Sequence, residues 1–80
     1  GPALYFDNLT VGVEEGIKVY AKADNNSNVL KTLPVNSKYI IATSSGDYEE
    51  YVRYYERNQQ GFLHVVGYIL QSDIDEFWGL

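Results

Sequence analysis

Apolar and polar residues alternate along several short segments of the chain, which is the pattern of half-buried β-strands. In "GIKVYA" (16–21), for example, Ile17 and Val19 alternate with Lys18 and Tyr20. Tyr, Val, Ile and Thr, which favour strands, are abundant, and no window of about eleven residues has a clean helical period. The pattern therefore predicts an all-β protein.

Five strand-like segments are separated by residues that form turns. The strands are expected at 16–21, 29–33, 38–44, 51–55 and 62–70, and the turns at 24–28, 45–47 and 56–61. Short strands at this even spacing are typical of a small barrel or sandwich. A closed barrel suits so small a β domain because closure removes the strand edges through which chains aggregate.

A glycine interrupts the longest predicted strand within "VVGYILQSDI" (65–74). Glycine inside a strand permits a bulge or a sharp bend, so we expect one at Gly67. The polar residues of "QSDI" (71–74) predict a single 3₁₀ turn, followed by a last short strand.

Composition limits the classes of function. The chain has 80 residues, 45% apolar and 21% charged, which is the composition of one folded domain. It has no cysteine, so neither disulfides nor a cysteine-based metal site stabilise it. Its net charge is −5 and its six basic residues are scattered, which argues against a nucleic-acid partner. No apolar run is long enough for membrane insertion, and we expect no cofactor.

Three segments share the residue order of a known family. "IKVYAKADNNSNVLKTL" matches the family's order of a Leu-Asn-Val-Arg strand, a polar loop, a Val-Ile pair and a Leu. "VNSKYIIATS" matches its glycine-containing turn and apolar strand, with Asn36 where glycine is usual. "GYILQSDI" follows Gly-Tyr-Val, a small polar turn and an aliphatic residue. Over residues 16–75 the chain thus resembles the bacterial Src homology 3-like domains. The resemblance implies a small barrel of five to six strands with a short 3₁₀ turn near the C-terminus.

The chain departs from that family at positions that would shape a ligand groove. Tyr20 stands where the family has arginine, Ala23 where it has proline, and Tyr48 or Tyr51 where it often has tryptophan. The hairpin "YYERNQQGFLHVV" is also longer than in the family. The identity of a family ligand therefore does not transfer to this chain.

Eight tyrosines are the most unusual feature of the composition. Tyrosine combines a large contact area with a hydroxyl group, which suits a peptide-binding groove. In the resembled fold this groove lies between the loops at 21–28 and 44–50, and the residues that would line it are Tyr20, Asp24, Asn25, Tyr48, Tyr55 and Tyr68. The alternative, which stays open, is that tyrosine simply favours strand surfaces. Because neighbouring strand residues face opposite sides, we expect either Tyr54 or Tyr55 to be exposed.

No catalytic or metal-binding constellation is apparent. His64 is the only histidine, and no sequence motif supplies a nucleophile for it to activate. A structural role is therefore favoured over a catalytic one, and the protein is not expected to be an enzyme. Asp73, Asp75 and Glu76 lack the calcium-loop pattern and are expected to form a solvated turn. No metal site is predicted.

The ends of the chain lie outside the predicted barrel of residues 16–75. Residues 1–2 resemble a cloning scar, 3–15 an N-terminal extension or added edge strand, and 76–80 a C-terminal aromatic extension. Phe77 and Trp78 either cap an open barrel end or dock on a neighbouring segment of a larger protein.

These features predict a non-catalytic binding module that recognises a peptide, either a cell-wall peptide or a segment of a partner protein, through an aromatic groove. The alternative is a structural or docking domain that packs on neighbouring domains through Phe77 and Trp78. A hydrolase accessory or enzyme fragment is a third possibility, which the absence of a catalytic constellation disfavours. The resemblance implies a location in the bacterial cell envelope or a secreted protein, whereas the oligomeric state stays open.

Overall fold

The computed structural model describes residues 5–11, 16–34, 37–43 and 49–78, with side chains placed for 16–34, 39–42 and 49–74. Six strands are followed by one helix: β1 Tyr5–Val11, β2 Ile17–Tyr20, β3 Val29–Leu33, β4 Ser37–Thr43, β5 Tyr51–Arg57, β6 Leu63–Leu70 and α1 Gln71–Trp78. The all-β prediction is confirmed, because each of the five predicted segments overlaps one strand. The additional strand, β1, lies within the predicted extension 3–15.

The strands form one antiparallel sheet in the order β1-β4-β5-β6-β2-β3. Consecutive strands β4, β5 and β6 are neighbours, as expected for strands joined by short connections. β2 and β3 form a hairpin whose first strand pairs with β6. β1 and β3 therefore lie at the two edges, and the sheet is open.

One face of the sheet carries the hydrophobic core. Alternation places Ile17 and Val19 of β2 inside, with exposed fractions of 1% and 0%, while Lys18 between them is exposed. The buried cluster consists of Ile17, Val19, Leu33, Tyr39, Ile41, Val52, Tyr54, Ile69 and Ile74. Full burial of each aliphatic side chain contributes about 1.5–3 kcal/mol, and in a chain without disulfides this packing stabilises the fold.

Gly67 lies at the predicted bulge. The pairing of β5 with β6 passes from Tyr54 opposite Gly67 to Tyr55 opposite Val65, so one residue of β6 has no partner. A Cβ atom on Gly67 would lie 2.5 Å from the carbonyl oxygen of Tyr20 and 2.7 Å from Val19 Cγ1. Glycine is required here because the backbone of the neighbouring strand β2 lies so close to β6 that no side chain fits between them.

The predicted 3₁₀ turn at 71–74 is wrong, because these residues begin helix α1. Ile74 is completely buried in the core cluster, so the helix covers an end of the core. The Gln71 N–H donates a hydrogen bond to the Glu50 carbonyl, and Gln71 Oε1 accepts one from the Glu49 N–H, which fixes the start of the helix. The predicted boundary between residues 75 and 76 falls inside α1.

The expectation that either Tyr54 or Tyr55 is exposed is also wrong. Their exposed fractions are 7% and 9%, and the register of β5 with β6 shifts between them. Tyr54 belongs to the core cluster, whereas Tyr55 does not. The two side chains do face opposite sides of the strand, but both sides are covered at this position.

Candidate functional site

Tyrosines from three strands gather on the face of the sheet opposite the core. Tyr20 of β2 is the register partner of Tyr68 of β6, and Tyr68 is the partner of Arg53 of β5. Side chains of directly opposed residues lie on the same face, and alternation along β5 adds Tyr51 and Tyr55. We call Tyr20, Tyr51, Arg53, Tyr55 and Tyr68 the tyrosine face.

Members of the tyrosine face differ in how far solvent reaches them. Tyr20 and Tyr55 are 7% and 9% exposed, while Tyr51 and Tyr68 are half-buried. Tyr20 and Tyr55 thus form a floor, and a ligand would contact Tyr51 and Tyr68 first. Three of the six residues predicted to line the groove, namely Tyr20, Tyr55 and Tyr68, are brought to this one face.

Arg53 is the cation of the tyrosine face. Its guanidinium carbon lies 6.0 Å from the centroid of the Tyr55 ring, a cation–π distance. Its Nη2 atom is buried and has no hydrogen-bond partner among the residues that the structure describes. A buried donor without an acceptor is energetically costly, about 1–3 kcal/mol. The guanidinium is therefore a group that a carbonyl or carboxylate oxygen would stabilise.

The loop at 21–28 is held in one shape by hydrogen bonds within it. Asp24 Oδ1 accepts a bond from the Asn26 N–H at 2.8 Å, and the Asp24 carbonyl accepts bonds from the N–H and hydroxyl of Ser27. The Ser27 hydroxyl oxygen in turn accepts a bond from the Lys22 N–H. Asp24, predicted to bind ligand, thus has one carboxylate oxygen engaged in forming the loop.

Tyr51 connects this loop to the sheet. The Asn25 N–H donates a hydrogen bond of 2.8 Å to the Tyr51 hydroxyl, across 26 positions of sequence. Asn25 itself is exposed. The predicted residues Asp24 and Asn25 are therefore positioned beside the tyrosine face by Tyr51, which was not among the residues predicted to line the groove.

A polar cluster forms where Tyr54 leaves the core. The Tyr54 hydroxyl donates a hydrogen bond of 2.8 Å to Glu56 Oε2, and the Lys31 ammonium from β3 binds the same oxygen. Burial raises the pKa of the Tyr54 hydroxyl well above its ordinary value, and the bond to Glu56 adds to the effect. The hydrogen bond from Lys31, followed by that from Tyr54, lowers the pKa of the Glu56 carboxyl.

Four other residues singled out from the sequence lie apart from this site or beyond the described part. His64 is exposed on β6, opposite Glu56 in the register. Tyr48 falls outside the described residues. Phe77 and Trp78 belong to α1, but their side chains fall outside the described ones. Within the described ranges, no three His, Cys, Asp or Glu residues are grouped so as to hold a metal ion.

Two members of the tyrosine face, Tyr51 and Arg53, were not among the residues predicted from the sequence to line the groove. Their signal was the alternation of positions 51, 53 and 55 along one strand, which puts these residues on one side. What the alternation could not indicate is the neighbour across the sheet, because register between distant strands is not a local property.

Among the residues that the structure describes, no helix has the length and apolar character needed to cross a membrane.

Comparison of the chain with protein-family models, curated proteins and solved structures gives no significant match.

Proposed function

We propose that this protein is a non-catalytic module that binds an extended peptide through the tyrosine face. The observation that carries the proposal is the Tyr20, Tyr68 and Arg53 row, in which adjacent register partners from three strands combine two phenol rings with a guanidinium group. Aromatic rings supply contact area, and the half-buried Arg53 supplies a guanidinium group beside them. Peptides offer a carbonyl oxygen at every residue and therefore match this chemistry.

The loop at 21–28 supports the same proposal. Its internal hydrogen bonds and its contact with Tyr51 reduce the conformational entropy that would be lost on binding. The exposed Asn25 offers an amide side chain at the margin of the face. A preorganised polar loop beside an aromatic surface is suited to selecting one peptide over another.

We further propose that the sheet belongs to a Src homology 3-like barrel. Lys31 of the edge strand β3 reaches Glu56 of β5, although β6 and β2 lie between these strands in the sheet order. Neighbouring strands are about 4.8 Å apart, so this contact requires strong coiling of the sheet. Such coiling is the geometry from which a small barrel is built.

The ligand class that we propose is a cell-wall peptide or a segment of a partner protein, with the module acting in the bacterial cell envelope or as part of a secreted protein. This assignment rests on the resemblance described for residues 16–75. The docking alternative, which depends on Phe77 and Trp78, stays a prediction because those side chains lie outside the described ones.

An NMR titration of the isotope-labelled protein with purified peptidoglycan fragments tests the proposal. We expect shifts concentrated on Tyr20, Asn25 and Tyr68, and a loss of at least fivefold in affinity in Tyr68→Ala. Tyr68 is preferred to Tyr20 or Tyr55 for truncation because it is less buried and its loss threatens the fold less.

Phe62→Ala is the matched control, since Phe62 is 70% exposed in the β5–β6 loop and lies outside the tyrosine face. This variant should bind as the parent does. Absence of shifts at millimolar fragment concentration would exclude cell-wall peptides as the ligand. Equal losses of affinity in the two variants would exclude the tyrosine face as the binding site.

A further inference from the structure

Strand β3 is an exposed edge of the sheet. It is the last strand in the sheet order and pairs with β2 on one side, and no described strand lies on its other side. Four of its five residues are exposed, with only Leu33 buried. An edge strand of this kind presents backbone N–H and C=O groups to which another strand can pair.

Apolar side chains accompany this open backbone edge. Val29 and Leu30 are 48% and 51% exposed, although both are large hydrophobic residues. The Cδ1 atom of Leu30 lies 3.3 Å from the position that a Cβ of Gly67 would occupy. The Leu30 side chain therefore extends over β2 towards β6. The edge thus combines unpaired backbone with apolar contact surface.

The usual protection against strand pairing is weak on β3. Proteins commonly place lysine or proline on an edge strand to prevent association. β3 contains no proline, and its one lysine, Lys31, has its ammonium group bound to Glu56 of β5. Lys31 therefore does not direct its charge at an incoming strand.

The hairpin that contains this edge differs in charge from the rest of the chain. Residues 16–34 carry three lysines and one aspartate, a formal charge of +2, or +1 when Lys31 is counted with its partner Glu56, whereas the whole chain carries −5. Lys18 and Lys22 are both exposed on this hairpin. The electrostatic match for such an edge is a strand that carries negative charge.

We propose that the β3 edge binds an extended peptide of alternating apolar and acidic residues, which adds to the sheet as an antiparallel strand. Alternation puts the apolar side chains of the peptide on the face of Leu30, and its carboxylates on the opposite face, which is that of Lys18. Exposed Lys18 and Lys22 attract those carboxylates. This site adjoins the tyrosine face, because Val29 is the register partner of Tyr20, but strand addition uses the backbone edge of β3 and not the tyrosine rings.

The probe is the acetylated, amidated hexapeptide Glu-Val-Glu-Val-Glu-Val, titrated into the isotope-labelled protein. We expect chemical-shift changes concentrated in β3 and at least tenfold slower hydrogen exchange of its outward amides at saturation. A peptide with lysine in place of glutamate, and one with N-methyl groups on alternate amides, should each bind at least fivefold more weakly, because the first reverses the charge and the second blocks strand pairing.

Two double variants with the same net charge of −7 separate local from global electrostatics. Lys18→Gln/Lys22→Gln should lower the affinity for the peptide about fivefold. Gln59→Glu/Gln60→Glu, with both changes in the exposed β5–β6 loop, should weaken it less than twofold. Equal effects of the two variants would overturn the charge argument.

Other outcomes also contradict the proposal. If the N-methylated peptide binds as tightly as the unmethylated one, strand addition is excluded. Shifts confined to Tyr68 and Asn25 identify the tyrosine face as the site of the peptide instead. Shifts in β3 that depend on protein concentration without peptide identify a second copy of the chain as the occupant.

Discussion

The backbone N–H of Asn25 donates a hydrogen bond of 2.8 Å to the hydroxyl of Tyr51, which joins the loop at 21–28 to strand β5. The loop otherwise bonds mainly within itself, through Asp24 and Ser27. Tyr51 therefore controls where the loop lies relative to the tyrosine face, rather than the internal shape of the loop.

Tyr51→Phe removes this acceptor while keeping the ring. We expect hydrogen exchange of the Asn25 amide to accelerate severalfold and the free energy of unfolding to fall by about 0.5–1 kcal/mol, since the exposed amide can bond water instead. The Asn26 amide, bonded to Asp24, is the internal control and should exchange as before. Equal acceleration of both amides would show that the loop unfolds as a unit without depending on Tyr51.

Tyr54 and Tyr39 form a matched pair of buried tyrosines in one core cluster, with exposed fractions of 7% and 5%. The Tyr54 hydroxyl bonds Glu56, whereas the Tyr39 hydroxyl is buried without a partner among the described residues. Tyr54→Phe should destabilise the protein by about 1–2 kcal/mol, while Tyr39→Phe should be neutral or stabilising by up to about 1 kcal/mol. Urea unfolding of both variants measures the difference, and the reverse order would contradict the hydrogen-bond assignment.

Gly67→Ala should be more damaging than Gly61→Ala. The added Cβ would meet backbone of β2 at 2.5 Å, which forces β2 and β6 apart and costs about 3 kcal/mol. Gly61→Ala is the comparison, because nothing lies within 4 Å of its Cβ but its φ is +88°. The left-handed backbone at Gly61 predicts a cost of about 1–2 kcal/mol. Thermal or urea unfolding should rank Gly67→Ala as the less stable variant.

Glu56 should make stability depend on acid pH. Its pKa is lower in the folded protein than in the unfolded chain, so its contribution is fully present above the unfolded value and is lost as pH falls through the folded value. We expect the advantage of the parent over Glu56→Gln to shrink steadily below about pH 4.5. Because Lys31 and Glu56 are partly exposed, this advantage should be under about 1 kcal/mol at pH 7. An advantage that grows on acidification would refute the assignment.

The same residues show where sequence reasoning succeeded. Alternation of Ile17 and Val19 with Lys18 predicted the buried and exposed sides of β2, and Gly67 predicted the bulge in β6. Both are local signals: a two-residue period fixes which side chains share a face, and a glycine inside a strand indicates a missing side chain. The identity of the atoms that exclude this side chain, in Tyr20 and Val19, came only from the structure.

By itself, the sequence determined five of the strands, the turns at 24–28 and 56–61 and the all-β class, because each depends on residues within a few positions of one another. The predicted turn at 45–47 lies outside the described residues. Only the tertiary structure decided that Gln71–Trp78 is a helix with Ile74 in the core, and that Tyr54 and Tyr55 are both buried. It also decided that Tyr20, Tyr68 and Arg53 form one row. These outcomes depend on register and packing between segments that are distant in sequence, such as Tyr20 and Tyr68, and local periodicity does not encode such pairings.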